Sequence, residues 1–434
     1  MSSTLTKVLF TAATAAMLGV TVQANAAAEV FMPVLSYRTG PYAPNGIPVA
    51  DGFVDYLKLV NARDGGVNGV KITFEECEFG YATDKGVECY ERLKSKKPVA
   101  VWPLSTGVTF ALTAKAPEDK IPIFTPGYGL SISTDGSVFE WNFPLFGTYY
   151  TAADILVQHL TKLEGGSLKG KKIALVFHDS PYGKDPLPVL EARAQKDGFE
   201  LLKLPVTHPG LEQKATWLQI RQERPNYVLL WGWGAMNSAA IKEATAVGYP
   251  RNQMYGVWWS AAEPDVMPAE DAAKGYNGLS LQAAAEKDKP VHKDMVKHVY
   301  DKGQGTGKKE DIGTVLYNRG MTQAMLLVEA IRTAQAKTGK KVVTGSDVRL
   351  GFENLDITAA RIKAMGFEGM LQPLKTSCAD HTGVYSGRIQ TWNGKSWEIT
   401  SDWYTADRSV IDPIVKAGAM KFAEEKKITP RKCG

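Results

Sequence analysis

Residues 36–46 read S-Y-R-T-G-P-Y-A-P-N-G, and residues 60–77 read V-N-A-R-D-G-G-V-N-G-V-K-I-T-F-E-E-C. Ahead of them, residues 30–35 are an apolar run of strand length. Gly40, Pro41, Pro44 and Gly46 interrupt regular structure, after which Val49, Phe53, Leu57 and Val60 recur at helical spacing. Asp64-Gly65-Gly66 and Asn68-Gly69 supply the turn into a second strand over residues 70–74. The unit is strand–helix–strand, with a glycine-rich first loop aimed at a helix start.

Outward from this unit the alternation continues. Strands are expected over residues 98–102 and 121–124, with a helix over 106–114 between them. A second series follows: helix 150–163, strand 172–177, helix 187–196, strand 200–204, helix 213–221, strand 227–231, helix 238–247 and strand 254–257. Such alternation implies parallel sheets covered by helices on both faces. Two series of domain size imply an α/β protein of two similar, doubly wound lobes. Helices near 291–301, 315–333 and 356–365 come later, and residues 383–390 and 396–400 flank Trp392-Asn393-Gly394 as a β-hairpin.

The first residues read as a targeting segment. Lys7 precedes a largely apolar run over residues 8–22, and Ala24-Asn25-Ala26 is a small-x-small cleavage site. The expected mature protein starts near Ala27 and floats free, because the run is too short for a membrane anchor and no cysteine follows it for lipid attachment. The formal charge of +5 is scattered, which gives no footprint for nucleic acid. In an exported chain, four cysteines favour disulfides over metal ligation. Cys77 ends a strand and Cys89 lies in the next helix, close enough to bridge; Cys378 and Cys433 then tie down the tail. The G-Q-G-T-G-K-K loop at residues 303–309 lacks the spacing of a phosphate-binding loop. No G-x-S-x-G or H-E-x-x-H pattern occurs, and the six histidines are dispersed, so the chain reads as a binder without metal or cofactor rather than an enzyme.

Ligands of open α/β sheets settle beyond the carboxyl ends of the strands. That rule selects the loops at residues 39–46, 105–107, 125–131, 178–183, 231–237 and 257–263. At Ser105-Thr106-Gly107, hydroxyls and backbone amides at a helix start suit a carboxylate, and Ser105 or Thr106 also suits a helix cap.

The opening turn S/T-G-P-x-A-x-x-G, the N-A-x-G-G-x-x-G element and the strand ending in acidic residues resemble the type I periplasmic solute-binding proteins of the branched-chain amino-acid-binding family. The Trp392-to-Trp397 hairpin resembles that family's ending. The resemblance implies two lobes joined by a three-segment hinge near residues 143–147, 278–282 and 369–376. One lobe then holds 27–145 with 280–370, and the other 146–279 with 371–434. It implies a monomeric periplasmic receptor that delivers a small solute to the permease of an ABC importer; a ligand-sensing subunit is the other use of the fold.

By the same resemblance Thr106, beside Ser105 and Gly107, holds a ligand carboxylate. Thr125-Pro-Gly-Tyr128-Gly129 replaces the family's S-P-x-A-T, placing Tyr128 and Gly129 at its carboxylate-holding pair. Tyr182 matches the tyrosine that packs on the ligand, and Trp233 is a candidate wall. Trp258 stands nearest the position where amino-acid receptors carry an acid for the ammonium, and the closest acid is Glu263. A buried ammonium without a counter-charge is costly. The ligand is therefore an amino acid paired with Glu263 or another acid, or held on aromatic faces, or a carboxylate without an ammonium. Trp102, Tyr128, Trp231, Trp233, Trp258 and Trp259 fall on or beside these loops and favour a broad, flat or apolar ligand such as an aromatic acid.

Overall fold

A computed structural model describes residues 28–433. The leader expected over residues 1–26 lies outside the described residues. Among these, no helix is long and apolar enough to cross a membrane.

The first sheet runs Lys71–Glu78, Glu29–Ser36, Trp102–Pro103, and a parallel bridge from Val101 to Ile123 extends it to Ile123–Phe124 and Asn142–Phe143. In chain order this is 2-1-3-4-5. The second sheet repeats it: Glu200–Val206, Lys172–His178, Tyr227–Trp231, Met254–Gly256 and Asn277–Ser280 lie side by side and parallel. The hairpin Ser386–Trp392 and Trp397–Ile399 then adds two antiparallel strands at its edge. The fold is thus the expected α/β pair of doubly wound lobes with a C-terminal hairpin. Each lobe reverses strand order between its first and third strands, so each has one crevice there.

Helix Ala43–Arg63 follows the first loop and packs against Val315–Thr338 with unusual closeness. A Cβ on Gly52 would lie 2.0 Å from the Tyr317 carbonyl oxygen, and one on Gly320 2.1 Å from that of Val49. Glycine at both crossings lets the two backbones touch. The loop at 303–309 is tied to this pair: the Thr306 amide donates to Asp55 Oδ1 at 2.9 Å, and Gly307 abuts Asp51. Two carboxylates face it, the opposite of a phosphate cradle.

Three expectations change. The strand foreseen at 98–102 reduces to Trp102–Pro103 plus the Val101 bridge. Residues 356–365 divide into a strand, Asp356–Ile357, and a short helix, Ala359–Ala364, where Thr358 caps through its hydroxyl. Asp356–Ile357 pairs with Leu374–Lys375, and Thr376 bonds Phe352, whose ring stacks on Phe124 and Phe143 of the first lobe. The chain therefore stays on the first lobe through Thr376, beyond the foreseen boundary at 370–371.

The tail holds the largest surprise. Helix Arg408–Lys426 was not read from the sequence, since Pro413 and Gly418 interrupt its pattern. Its Ala419 and Ala423 close a second small core with Leu130, Val138 and Phe139 of the first lobe, while the same helix packs on Leu187–Asp197 of the second. Gly418 permits this: a Cβ there would meet Ile132 at 2.7 Å. Beyond the helix, Arg431 donates to the Gly136 carbonyl at 2.8 Å and pairs with Glu353. Although burial acts to raise it, hydrogen bonds from His381 and Arg431 hold the Glu353 carboxyl at about 2. The tail thus straddles both lobes rather than belonging to the second. Both expected disulfides are present, Cys77–Cys89 and Cys378–Cys433.

The lobes are closed on each other. Tyr42 Oη lies 2.7 Å from His178 Nε2, and Asn45 Nδ2 donates to Asp265 Oδ1 at 2.8 Å. Asp265 is fully buried and also accepts from Asn237 and the Ala262 amide.

Two outcomes follow from this framework. Replacing Cys378 and Cys433 together by Ala should lower unfolding free energy by about 2–4 kcal/mol in urea titrations, because the bridge closes a loop 55 residues apart in sequence. Burial, against the donors from Asn237 and Asn45, raises the Asp265 carboxyl to about 7. A folded-state value above the unfolded one means the contribution to stability is full at low pH and is lost as pH rises through about 7. Asp265→Asn should therefore gain in melting temperature relative to the wild type between pH 5 and pH 8.

Candidate ligand-binding site

The crevices of the two sheets face each other, and a small cavity lies between them. From the first lobe come Tyr37, directly after the first strand, and Leu104, Ser105 and Thr106, directly after the third. Tyr81 and Tyr128 reach in from the loops after the second and fourth strands. The second lobe mirrors this with Tyr182 after its first strand, Trp233 after its third and Trp259 after its fourth. Tyr149, the first residue of the helix that enters the second lobe, completes the lining.

The structure thus brings Ser105, Thr106, Tyr128, Tyr182 and Trp233 around one space. Gly107, Gly129 and Trp258 do not line it. Gly107 is one residue further into helix Thr106–Thr113. Gly129 turns toward Thr125, where a Cβ would sit 2.7 Å from the hydroxyl. Trp258 is buried behind Tyr149, its ring stacked at 6.0 Å, and its indole N–H donates to the Gly127 carbonyl at 2.6 Å. Trp259 donates to the same carbonyl at 2.8 Å while presenting its ring to the cavity, so one backbone oxygen of the first lobe holds two indoles of the second. Trp102 and Trp231 are core: Trp102 stacks on Phe53 at 4.1 Å, and Trp231 sits fully buried in its strand.

Sequence reasoning missed Tyr37, Tyr81, Leu104 and Tyr149 as lining residues. Tyr37 and Leu104 each stand next to a strand end at the crevice and could have been found from the strand-order rule. Tyr81 sits on a turn with φ of +64°, which no pattern around it signals.

The polar groups can be followed one by one. The Tyr182 hydroxyl donates to the Gly232 carbonyl at 2.8 Å, leaving its oxygen as an acceptor. Tyr37 Oη accepts from Trp233 Nε1 at 2.7 Å across the cleft, which frees its proton. Thr106 Oγ1 and Tyr149 Oη are 3.3 Å apart. The Tyr128 hydroxyl is buried with no partner. Ser105 caps helix Thr106–Thr113 by accepting from the Val108 amide at 3.4 Å, and the first-turn amides of Thr106 and Gly107 have no intrahelical acceptor. Burial pushes the phenols of Tyr37, Tyr128, Tyr149 and Tyr182 well above the ordinary tyrosine value, so all remain neutral hydroxyls. The site is rich in donors.

Among the described residues, no charged side chain lines the cavity. Glu263 accepts from the Val315 amide at 3.0 Å, and Asp265 is held by the two asparagines; neither of these acids lines the cavity. Among the described residues no group of three His, Cys, Asp or Glu side chains is placed to hold a metal.

Comparison with known proteins agrees with this geometry. A family model described as periplasmic binding protein matches residues 29–396. No curated protein matched the chain. A solved structure described as an ABC transporter permease from the Pseudomonas fluorescens group is 43% identical, with a TM-score of 0.87 over 94% of this chain and 100% of that one. A branched-chain amino-acid ABC transporter protein from Thermus thermophilus with bound valine is 22% identical (TM-score 0.73; 88% and 98% covered). A solute-binding protein from R. palustris in complex with benzoate is 18% identical (TM-score 0.67; 87% and 97% covered). At such identities the last two speak for the fold alone. By sequence model and by fold, the chain belongs to the periplasmic binding protein family.

Proposed function

We propose that this protein is the solute-binding subunit of an ABC importer, working in the periplasm, and that it captures a small carboxylate carrying no hydrogen-bonding ammonium. One observation carries the reading: a cavity at the meeting of the two crevices, lined by hydroxyl donors and aromatic rings and, among the described residues, by no acid. Donors without cations suit an acceptor-rich group, and the amides at Thr106 and Gly107 add the positive end of a helix. An α-amino acid brings an ammonium whose N–H groups find no carboxylate here. Leaving such a charge buried and unpaired is costly.

Closure then follows from the seam. Ligand held at Ser105 and Thr106 on the first lobe completes the partners that Tyr182, Trp233 and Trp259 on the second lobe need. The population shifts toward the closed form because those contacts exist only there. The indole donors onto Gly127 report closure independently of the ligand, since they join the lobes directly. Delivery to a permease is the role these features serve in an importer. The benzoate and valine complexes show that this fold accepts both an aromatic acid and an amino acid. The absent counter-charge favours a carboxylate that brings no N–H-bearing ammonium.

Thermal-shift measurements on protein unfolded and refolded to strip carried-over ligand test this reading. A small monocarboxylate at a hundred times its dissociation constant should add about 2.7 kcal/mol of stability, and leucine, isoleucine and valine should add little; stabilisation by those three alone contradicts it. Tyr128→Phe should leave the ligand-free melting temperature unchanged or raised, because the hydroxyl has no partner within the protein. The same change should weaken carboxylate binding about tenfold, the scale of a hydrogen bond to a charged group. A lowered melting temperature with unchanged affinity would show that the hydroxyl serves the fold instead.

A further inference from the structure

The walls of the cavity turn corners. Tyr37 meets Tyr81 at an interplanar angle of 78° and Trp233 at 89°. Trp233 meets Trp259 at 85°, and Trp259 meets Tyr128 at 76°. Centroids of these neighbouring rings lie between 4.9 and 6.5 Å apart. Five aromatic side chains in succession therefore form a box of nearly perpendicular walls, whereas a flat ring is gripped best by two parallel ones. A compact, rounded group fits a box.

The wall chemistry narrows the group further. Pockets for aliphatic groups are usually built from aliphatic side chains, yet Leu104 is the single aliphatic residue of the lining. Aromatic faces add an attraction that an alkyl group cannot exploit, the pull of the ring quadrupole on a cation. An ammonium bearing N–H groups needs acceptors as well, and the cavity offers no acid. A fully substituted ammonium has no N–H to satisfy. On the same lining, Ser105, Thr106 and the unpartnered Tyr128 hydroxyl offer donors to an anion. Arg319, which does not line the cavity, lies 5.5 Å from the Trp259 centroid, so the attraction falls mainly to the tyrosines and Trp233.

We propose that the site takes a betaine: a small carboxylate whose cation is a quaternary ammonium, with the methylated head in the aromatic box and the carboxylate at Ser105 and Thr106. The inference rests on the carboxylate reading above and narrows it to one chemical class.

Calorimetric titration of the refolded protein tests it with four probes. Glycine betaine and 3,3-dimethylbutanoate have the same shape and the same carboxylate and differ in a charged nitrogen against a neutral carbon. Benzoate offers a flat ring, and choline the cation without the carboxylate. Glycine betaine should bind at least about tenfold tighter than 3,3-dimethylbutanoate, a difference that cation attraction by several rings supplies, and tighter than benzoate and choline. In Trp233→Leu the ratio between the two isosteres should shrink toward one. Equal or reversed affinities for the isosteres overturn the inference, as does benzoate binding tightest; both leave the carboxylate reading standing. Choline bound while every carboxylate is silent, or silence from all four, removes that reading and the betaine with it. The comparison of isosteres uses the unaltered protein, so it stands even if the Trp233 variant fails to fold.

Discussion

A parallel sheet offers a binding edge only at the carboxyl ends of its strands, and a crevice only where strand order reverses. This chain builds that constraint twice, with the same 2-1-3-4-5 order in both lobes, and turns the two crevices toward each other. Everything at the site descends from the placement. Tyr37 and Leu104 on one side, Tyr182 and Trp233 on the other, are the residues that follow the strands flanking each reversal. A ligand between them touches both lobes at once, so binding and closure become one event.

The seam that closes the lobes mixes neutral and charged hydrogen bonds: the Arg319 guanidinium donates to the Trp258 carbonyl, and the Glu263 carboxylate accepts from the Val315 amide. Indole N–H groups reach the Gly127 carbonyl, an indole reaches the Tyr37 phenol, and an asparagine reaches the buried Asp265. The bonds between neutral partners are directional and each modest in net worth, about 1 kcal/mol. The tail adds a different restraint: helix Arg408–Lys426 lies against both lobes, and the Cys378–Cys433 bridge fixes the chain beyond it beside Gly136 of the first lobe, so that motion between the lobes must carry or flex this segment.

Much of this was legible in the sequence. Periodicity and breakers located nearly every strand and helix up to residue 257, because a doubly wound fold writes its alternation plainly. The loops at Ser105, Tyr128, Tyr182 and Trp233 follow from strand ends alone. What stayed hidden has physical causes. Between Trp258 and Trp259 the choice turns on a one-residue rotation inside a short turn, and both rings are buried on either reading. Tyr81 enters from a strand outside the reversal. Helix Arg408–Lys426 hides behind a proline and a glycine that make sense only once Ile132 lies against Gly418. The paired glycines at 52 and 320 likewise look like helix weaknesses until the opposing backbone is in place.

The central claim is that the cavity accepts a carboxylate but offers no acid to pair with an ammonium bearing N–H groups. Titration calorimetry of the refolded protein with leucine and with 4-methylpentanoate, the same skeleton lacking the amino group, tests this most directly. The deaminated acid should bind the tighter of the two. Leucine binding more tightly would mean that an acid does reach the ligand, and would contradict the account.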